Sequence, residues 1–190
     1  MKHQRHGKAT PLIFSDYCKL RQGFLKSQHQ LILDIAYATG ERWGAILRLT
    51  VSDVYLNPIQ AIPHQNVTFR KSTRKDKETR QCPISSGLEL RLRAYRPPLI
   101  GYLFASPYAI ERHLSDRSAD MALRRAIDRA GLSGRGFSTH STRRGLINRL
   151  HNAGTSIKVI QAITGHKSLS VLAGYIDVSD RQKRNAIEVA

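Results

Sequence analysis

Cysteine is nearly absent from this chain of 190 residues. Cys18 and Cys82 are the only two, and they lie far apart. That excludes the disulfide framework that holds small secreted domains together. Acidic residues are scarce too: 14 Asp and Glu stand against 31 Lys and Arg, a formal charge of +17. Long apolar runs are missing. The longest, Leu31 to Ala38, is broken by Asp34 and falls far short of the roughly 20 residues that span a bilayer. No apolar stretch follows the basic start MKHQRHGKATP, so no secretory signal is readable. The eight histidines form neither a His-Glu-x-x-His helix nor a cluster with cysteine. No metal site and no cofactor is therefore expected. There is no internal repeat and no low-complexity block. These absences point to a soluble protein in a reducing, cytoplasmic setting.

What is present is a folding sequence. Hydrophobic residues make up 41% of it, too many for a disordered basic tail. The length fits one domain with its own core, with or without a tail. A folded chain this basic repels itself unless an anion binds it. Nucleic acid is the first candidate and an anionic membrane surface the second.

Residues 1–9 are polar and basic and read as a flexible tail. Apolar spacing predicts helices at Ser15 to Arg21 (with Ser15 as N-cap), Ser27 to Thr39, Trp43 to Leu49, Leu88 to Tyr95, Ala119 to Ala130 and Thr142 to Asn152. Further helices are expected at Ile157 to Ile163, Leu169 to Ile176 and Asp180 to Val189. Gly40, Gly131, Gly154 and Gly165 fall where helices should end. Val51 to Val54, Asn66 to Arg70 and Thr79 to Ile84 read as short strands, with the charged Lys71 to Glu78 as an exposed turn. The expected class is mainly α (α+β): a helical domain over 10–190 with one small antiparallel three-stranded sheet.

Four segments carry residues suited to chemistry. They are Thr39-Gly-Glu-Arg42, Lys75-Asp-Lys-Glu-Thr-Arg-Gln-Cys-Pro83, His140-Ser-Thr-Arg143, and Gly165-His166 with Tyr175 nine residues after the histidine. Singly, each has a plain structural explanation. His140 and Arg143 stand three apart at a helix start, so both can face one anion there. Arg143 could equally pair with a carboxylate while His140 caps the helix. Tyr175 at helical spacing could be a core tyrosine with a wet hydroxyl. Lys75 alone is a solvated loop lysine. Arg42 at a helix start is out of place on dipole grounds.

In combination, the order and spacing resemble the tyrosine recombinase (phage integrase) family over roughly residues 10–190. Thr39-Gly40-x-Arg42 is similar to the family's first arginine box. Lys75, eight residues before Pro83, is similar to its hairpin lysine, and His140-x-x-Arg143 to its second box. Gly165-His166 and Tyr175 are similar to its third histidine and its nucleophile. Two positions depart from the family. Ala45 stands where a Glu is common, and Arg144 where a His is common. The resemblance implies a catalytic domain over 10–190 without the core-binding domain that usually precedes it.

The resemblance also implies a mechanism. Arg42 and Arg143 would bind the non-bridging oxygens of a DNA phosphodiester, as planar, always-charged donors suit. Tyr175 would attack phosphorus with His140 as base. His166 would hydrogen-bond a phosphoryl oxygen, and Lys75 would protonate the leaving 5′ oxygen. No ATP and no metal are implied. The partner would be double-stranded DNA, held by a homotetramer that is monomeric or weakly associated when free. Arg70, Lys71, Arg74, Lys77 and Arg80 around Lys75, with Arg144 and Lys167, read as phosphate contacts. Three alternatives remain at this level: a type IB topoisomerase-like relaxing enzyme, a non-catalytic DNA-binding protein of the same fold, and, on charge alone, an RNA-binding protein.

Overall fold

Helix α2 (Ser27–Thr39) is apolar almost all round, and Leu31, Ile32, Leu33, Ile35 and Ala36 are all buried. A helix without a polar face belongs at the centre of a fold. The computed structural model places it there; it describes residues 8–73, 78–176, 178 and 180–188. Around α2 pack α1 (Phe14–Gly23), α3 (Trp43–Leu47), α4 (Ser86–Ala94) and α6 (His140–Asn152). The carboxylate inside α2 is not loose. Asp34 accepts from Tyr17 Oη at 2.6 Å and from Arg21 Nε at 2.9 Å, the pairing that a buried charge requires.

Gly40 stops α2. It adopts φ 61°, and a Cβ there would lie 2.8 Å from Leu146 Cδ2 on α6. Helix α5 (Asp116–Arg129) packs along α1, where Gly23 faces the Ala126 carbonyl so closely that a Cβ would stand 2.3 Å from its oxygen. The segment before α1 is strapped to the start of α6. Thr10 donates its N–H to the Gly136 carbonyl at 3.2 Å, and Leu12 donates to the Ser141 carbonyl at 3.0 Å. The chain closes with α7 (Ile157–Thr164), α8 (Leu169–Ala173) and α9 (Asp180–Glu188). Ile147, Ile160 and Leu172 form a small second core there, with Tyr175 and Ile176 packed against it.

The predicted helices are present, with ends shifted by up to three residues. Ser15 is not a cap: α1 begins at Phe14, and Ile13 precedes it without a side-chain cap bond. Residues 1–7 of the expected tail, and Val189, lie outside the described residues.

The sheet differs from expectation. Among the described residues there are three separate antiparallel pairs: β1 (Tyr55–Asn57) with β2 (Ile62–Pro63), β3 (Asn66–Phe69) with β4 (Arg80–Pro83), and β5 (Ala105–Ser106) with β6 (Ala109–His113). The β3–β4 ribbon matches two predicted strands, in the register Val67↔Cys82 and Phe69↔Arg80. The predicted strand at Val51 to Val54 is instead a 3-10 turn over Val51–Asp53. Its physical reason is the Thr50-x-x-Asp53 capping box: Asp53 Oδ2 accepts from the Thr50 N–H at 2.8 Å and from Thr50 Oγ1 at 2.6 Å. That local bonding outcompetes the apolar alternation.

Candidate active site

The turn after α2 brings the first basic group into place. Gly40 reverses the chain, and Arg42 caps α3 in extended conformation (φ −66°, ψ 138°) with its side chain exposed. His140 is the first residue of α6 and is also exposed. Arg143, one turn further, is 2% exposed. Arg42, His140 and Arg143 line one cavity of about 240 Å³, together with Glu41 and, across from them in sequence, Asp116 and Asp120 of α5.

Arg143 is the hub. Its Nη1 donates to the Gly40 carbonyl at 2.9 Å, and its Nη2 donates to the Thr164 carbonyl at 2.7 Å. It thereby ties the end of α2 to the end of α7. The next residues, Gly165 at φ 67° and His166, turn the chain so that His166 Nε2 lies 3.2 Å from Arg143 Nη2. The Tyr175 ring packs on the His166 ring, with centroids 5.1 Å apart. Tyr175 is not on a helix as expected. α8 ends at Ala173, and Tyr175 follows in a turn, its N–H donating to the Leu172 carbonyl at 2.9 Å. Asn148 on α6 holds that turn by donating from Nδ2 to the Tyr175 carbonyl at 3.0 Å.

The proton on His166 can be located from its neighbours. Thr164 Oγ1 donates its single hydrogen to the Ile160 carbonyl at 2.7 Å. Towards His166 Nδ1, also at 2.7 Å, it therefore acts as acceptor, which puts the ring hydrogen on Nδ1. Nε2 is left with its lone pair toward Arg143. Burial, then the charges of Arg143, Arg42 and Arg80, pull the His166 pKa from 6.5 to about 4. The ring is neutral at physiological pH. Burial likewise pulls the Arg143 pKa to about 10, opposed by the Glu41 carboxylate; the guanidinium remains charged.

The structure thus brings Arg42, His140, Arg143, His166 and Tyr175 together. Lys75 lies outside the described residues, as do Arg74 and Lys77. Two of the residues read as phosphate contacts are corrected. The Arg80 side chain is 9% exposed and turned inward: it ion-pairs with Glu41 Oε2 at 3.0 Å, donates to the Ile163 carbonyl and lies over the Phe69 ring. Arg144, on α6, is buried as well, at 7% exposure. A helical residue next to Arg143 need not face outward, and composition gave no means to see which way either pointed. Arg70 is half exposed but already bonded to Asp53 Oδ1 at 2.5 Å. Lys71 and Lys167 are exposed.

The model of the phage integrase family matches residues 14–182, spanning all the groups just described. The chain belongs to the phage integrase family. It is 29% identical over 183 residues to a tyrosine recombinase of Pseudothermotoga lettingae, covering 93% of this chain and 59% of that one. It is 27% identical over 166 residues to the tyrosine recombinase XerC of Chlamydia caviae, covering 82% of this chain and 53% of that one. The chain thus spans little more than half the length of these curated relatives. Among solved structures, XerA recombinase superposes with a TM-score of 0.72 at 19% identity, covering 95% of this chain and 65% of that one. A lambda integrase dimer bound to a COC′ core site gives 0.68 at 23% identity, covering 93% and 50%. These likenesses establish the phage integrase fold.

Sequence reading missed three supporting residues of this family member. Glu41 is a buried carboxylate among the arginines, where Ala45 lacks the Glu that the resemblance led one to expect. Thr164 fixes the His166 tautomer, and Asn148 fixes the Tyr175 turn. Their position beside the boxes was the only signal, and position without geometry does not distinguish a ligand from a neighbour.

Proposed function

We propose that this chain is the catalytic part of a site-specific DNA recombinase that cuts and rejoins strands through a 3′-phosphotyrosine link. The observation that carries the reading is the stack Arg143–His166–Tyr175 beside the cavity lined by Arg42 and His140. A phosphodiester seated there would take donors from Arg42 and from the Arg143 fork, each of whose Nη groups now gives one hydrogen to a backbone carbonyl. Charge that builds on the phosphoryl oxygens during attack is stabilised by such preoriented cations.

Tyr175 Oη attacks phosphorus and loses its proton, with His140 as the base. A phenolic hydroxyl is a weak nucleophile until a base takes its proton. His166 stands between the guanidinium and the phenol; with a phosphate bound, Thr164 Oγ1 turns to donate to Nδ1, the ring hydrogen sits on Nε2, and Nε2 donates to a phosphoryl oxygen. Lys75 gives a proton to the leaving 5′ oxygen. The P–O bond to the 5′ oxygen breaks as the bond to tyrosine forms. The tyrosyl ester conserves the phosphodiester's energy, so resealing by a second 5′ hydroxyl needs no ATP. Pairwise exchange requires four copies on double-stranded DNA and passes through a Holliday junction. Cytoplasmic DNA is the substrate in this reading; among the described residues no helix is long and apolar enough to cross a membrane.

The test is denaturing-gel capture on nicked duplexes, where the cleaved fragment diffuses away and traps the adduct. Wild type forms the covalent complex. Tyr175→Phe binds the same duplex but forms none. Equal adduct from both variants contradicts the assignment.

A further inference from the structure

We propose that Glu41 is a positioning residue of this site: its buried carboxylate holds Arg80 and the Arg42 backbone in place and carries the counter-charge for the guanidiniums around it. The proposal rests on the reading of the site as a strand-transfer centre.

Glu41 is 1% exposed. A carboxylate that deep needs cations and donors to compensate it. Here they do. Oε1 accepts the Arg42 N–H at 2.8 Å, and Oε2 lies 3.0 Å from Arg80 Nη2. Arg80 in turn reaches the Ile163 carbonyl and, at 3.5 Å, the Thr39 carbonyl. Arg143 spans the same gap, from Gly40 to Thr164. Two guanidiniums therefore fasten the turn at 39–41, which presents Arg42, to the turn at 163–166, which presents His166. Glu41 sits in the first of these turns and bonds to one of the two fasteners.

Removing the charge has a definite consequence. Arginine does not lose its proton, so Arg80 would remain a buried cation without its carboxylate. It must then turn or admit water, and the two turns lose a shared anchor. Transfer to phosphorus is sensitive to such displacements, with an ångström worth about 100-fold in rate. Binding of the duplex, spread over many phosphates, is far less sensitive.

The experiment compares wild type, Glu41→Gln, Arg80→Met and the double variant as full chains. Three quantities are read: the adduct-forming rate on a nicked duplex at saturating DNA, affinity for that duplex, and the Arg80 guanidinium resonance by NMR. Glu41→Gln is expected to slow adduct formation about 10- to 100-fold with affinity within about twofold. The double variant should be no slower than the slower single one, and in Glu41→Gln the Arg80 guanidinium should gain rotational freedom. A wild-type rate in Glu41→Gln overturns the proposal, as does a slowing matched by an equal loss of affinity. If Glu41→Gln does not fold, Arg80→Met decides: a wild-type rate there overturns it. If wild type forms no adduct on any duplex, the strand-transfer reading fails separately. The resonance still decides Glu41's hold on Arg80: freedom gained supports it, and an unchanged signal overturns it.

Discussion

Nη2 of Arg143 donates to the Thr164 carbonyl at 2.7 Å while standing 3.2 Å from Nε2 of His166. The free site is thus closed on itself: its best anion donors rest on protein acceptors, and its histidine is held neutral between them. A phosphate entering here would meet a guanidinium already held in place by two carbonyls, with a second hydrogen on each Nη still to give, so the donors would need little reorganisation.

Replacing Arg143 tests that closure. Arg143→Ala leaves the buried Gly40 and Thr164 carbonyls without their donor, which should cost about 1–3 kcal/mol in chemical denaturation and abolish adduct formation. Arg143→Lys keeps a cation but not the two-armed fork. It should retain more stability than Ala and still fall by about 100-fold or more in adduct rate. Equal activity in Lys and wild type would contradict bidentate use of the fork.

The pH dependence of stability follows from His166. Its folded pKa is lowered from 6.5 to about 4, chiefly by burial and then by Arg143. The unfolded chain therefore takes up the proton first as the solution is acidified. The stability held in the neutral ring is complete above about pH 6.5 and is lost as pH falls from there toward about 4. Melting temperature should drop across that window in wild type and drop less in His166→Gln. Parallel curves for the two would count against the depressed pKa.

Two glycines set the geometry beneath the site. A Cβ on Gly145 would stand 2.3 Å from the Leu12 carbonyl oxygen, which is backbone and cannot swing away. Gly145→Ala should therefore peel the 10–12 strap from α6. Gly40→Ala combines φ 61° with an approach of 2.8 Å to Leu146 Cδ2. It should destabilise by about 1–2 kcal/mol or more, read by urea melts.

Salt dependence separates the exposed cations from the buried ones. Lys71→Ala and Lys167→Ala should each flatten the plot of log affinity against log salt, by about 0.9 for each phosphate that is no longer neutralised. Arg144→Met, at a buried position of α6, should leave the slope unchanged. A slope change at Arg144 as large as at Lys167 would mean that the helix turns outward on DNA.

Much of the helical framework was legible because α2 is a near-continuous apolar stretch of helical length, α5 carries strong apolar periodicity, and the glycines at 40 and 165 mark real left-handed ends. The strands were less so. Val51 to Val54 looked like a strand because four residues cannot distinguish alternation from a capped turn. The β5–β6 hairpin, with no fully buried residue, gave no pattern at all. At the site, the spacing of the boxes named the residues that converge, since family order encodes proximities that no single segment reveals. Side-chain direction was hidden. Arg80 and Arg144 read as surface charge, yet one is locked to Glu41 and the other is a buried residue of α6, because burial is settled by packing partners remote in sequence.

The central claim is that Tyr175 becomes esterified to a DNA 3′ phosphate. The most direct measurement is covalent capture from a pool of nicked duplexes of randomised sequence, followed by mass spectrometry of the linked peptide and end-labelling of the released strand. The expected result is a nucleotide on the peptide containing Tyr175, a free 5′ hydroxyl on the released strand, and no adduct from Tyr175→Phe. Attachment at another residue, or a 5′-phosphate link, would contradict it.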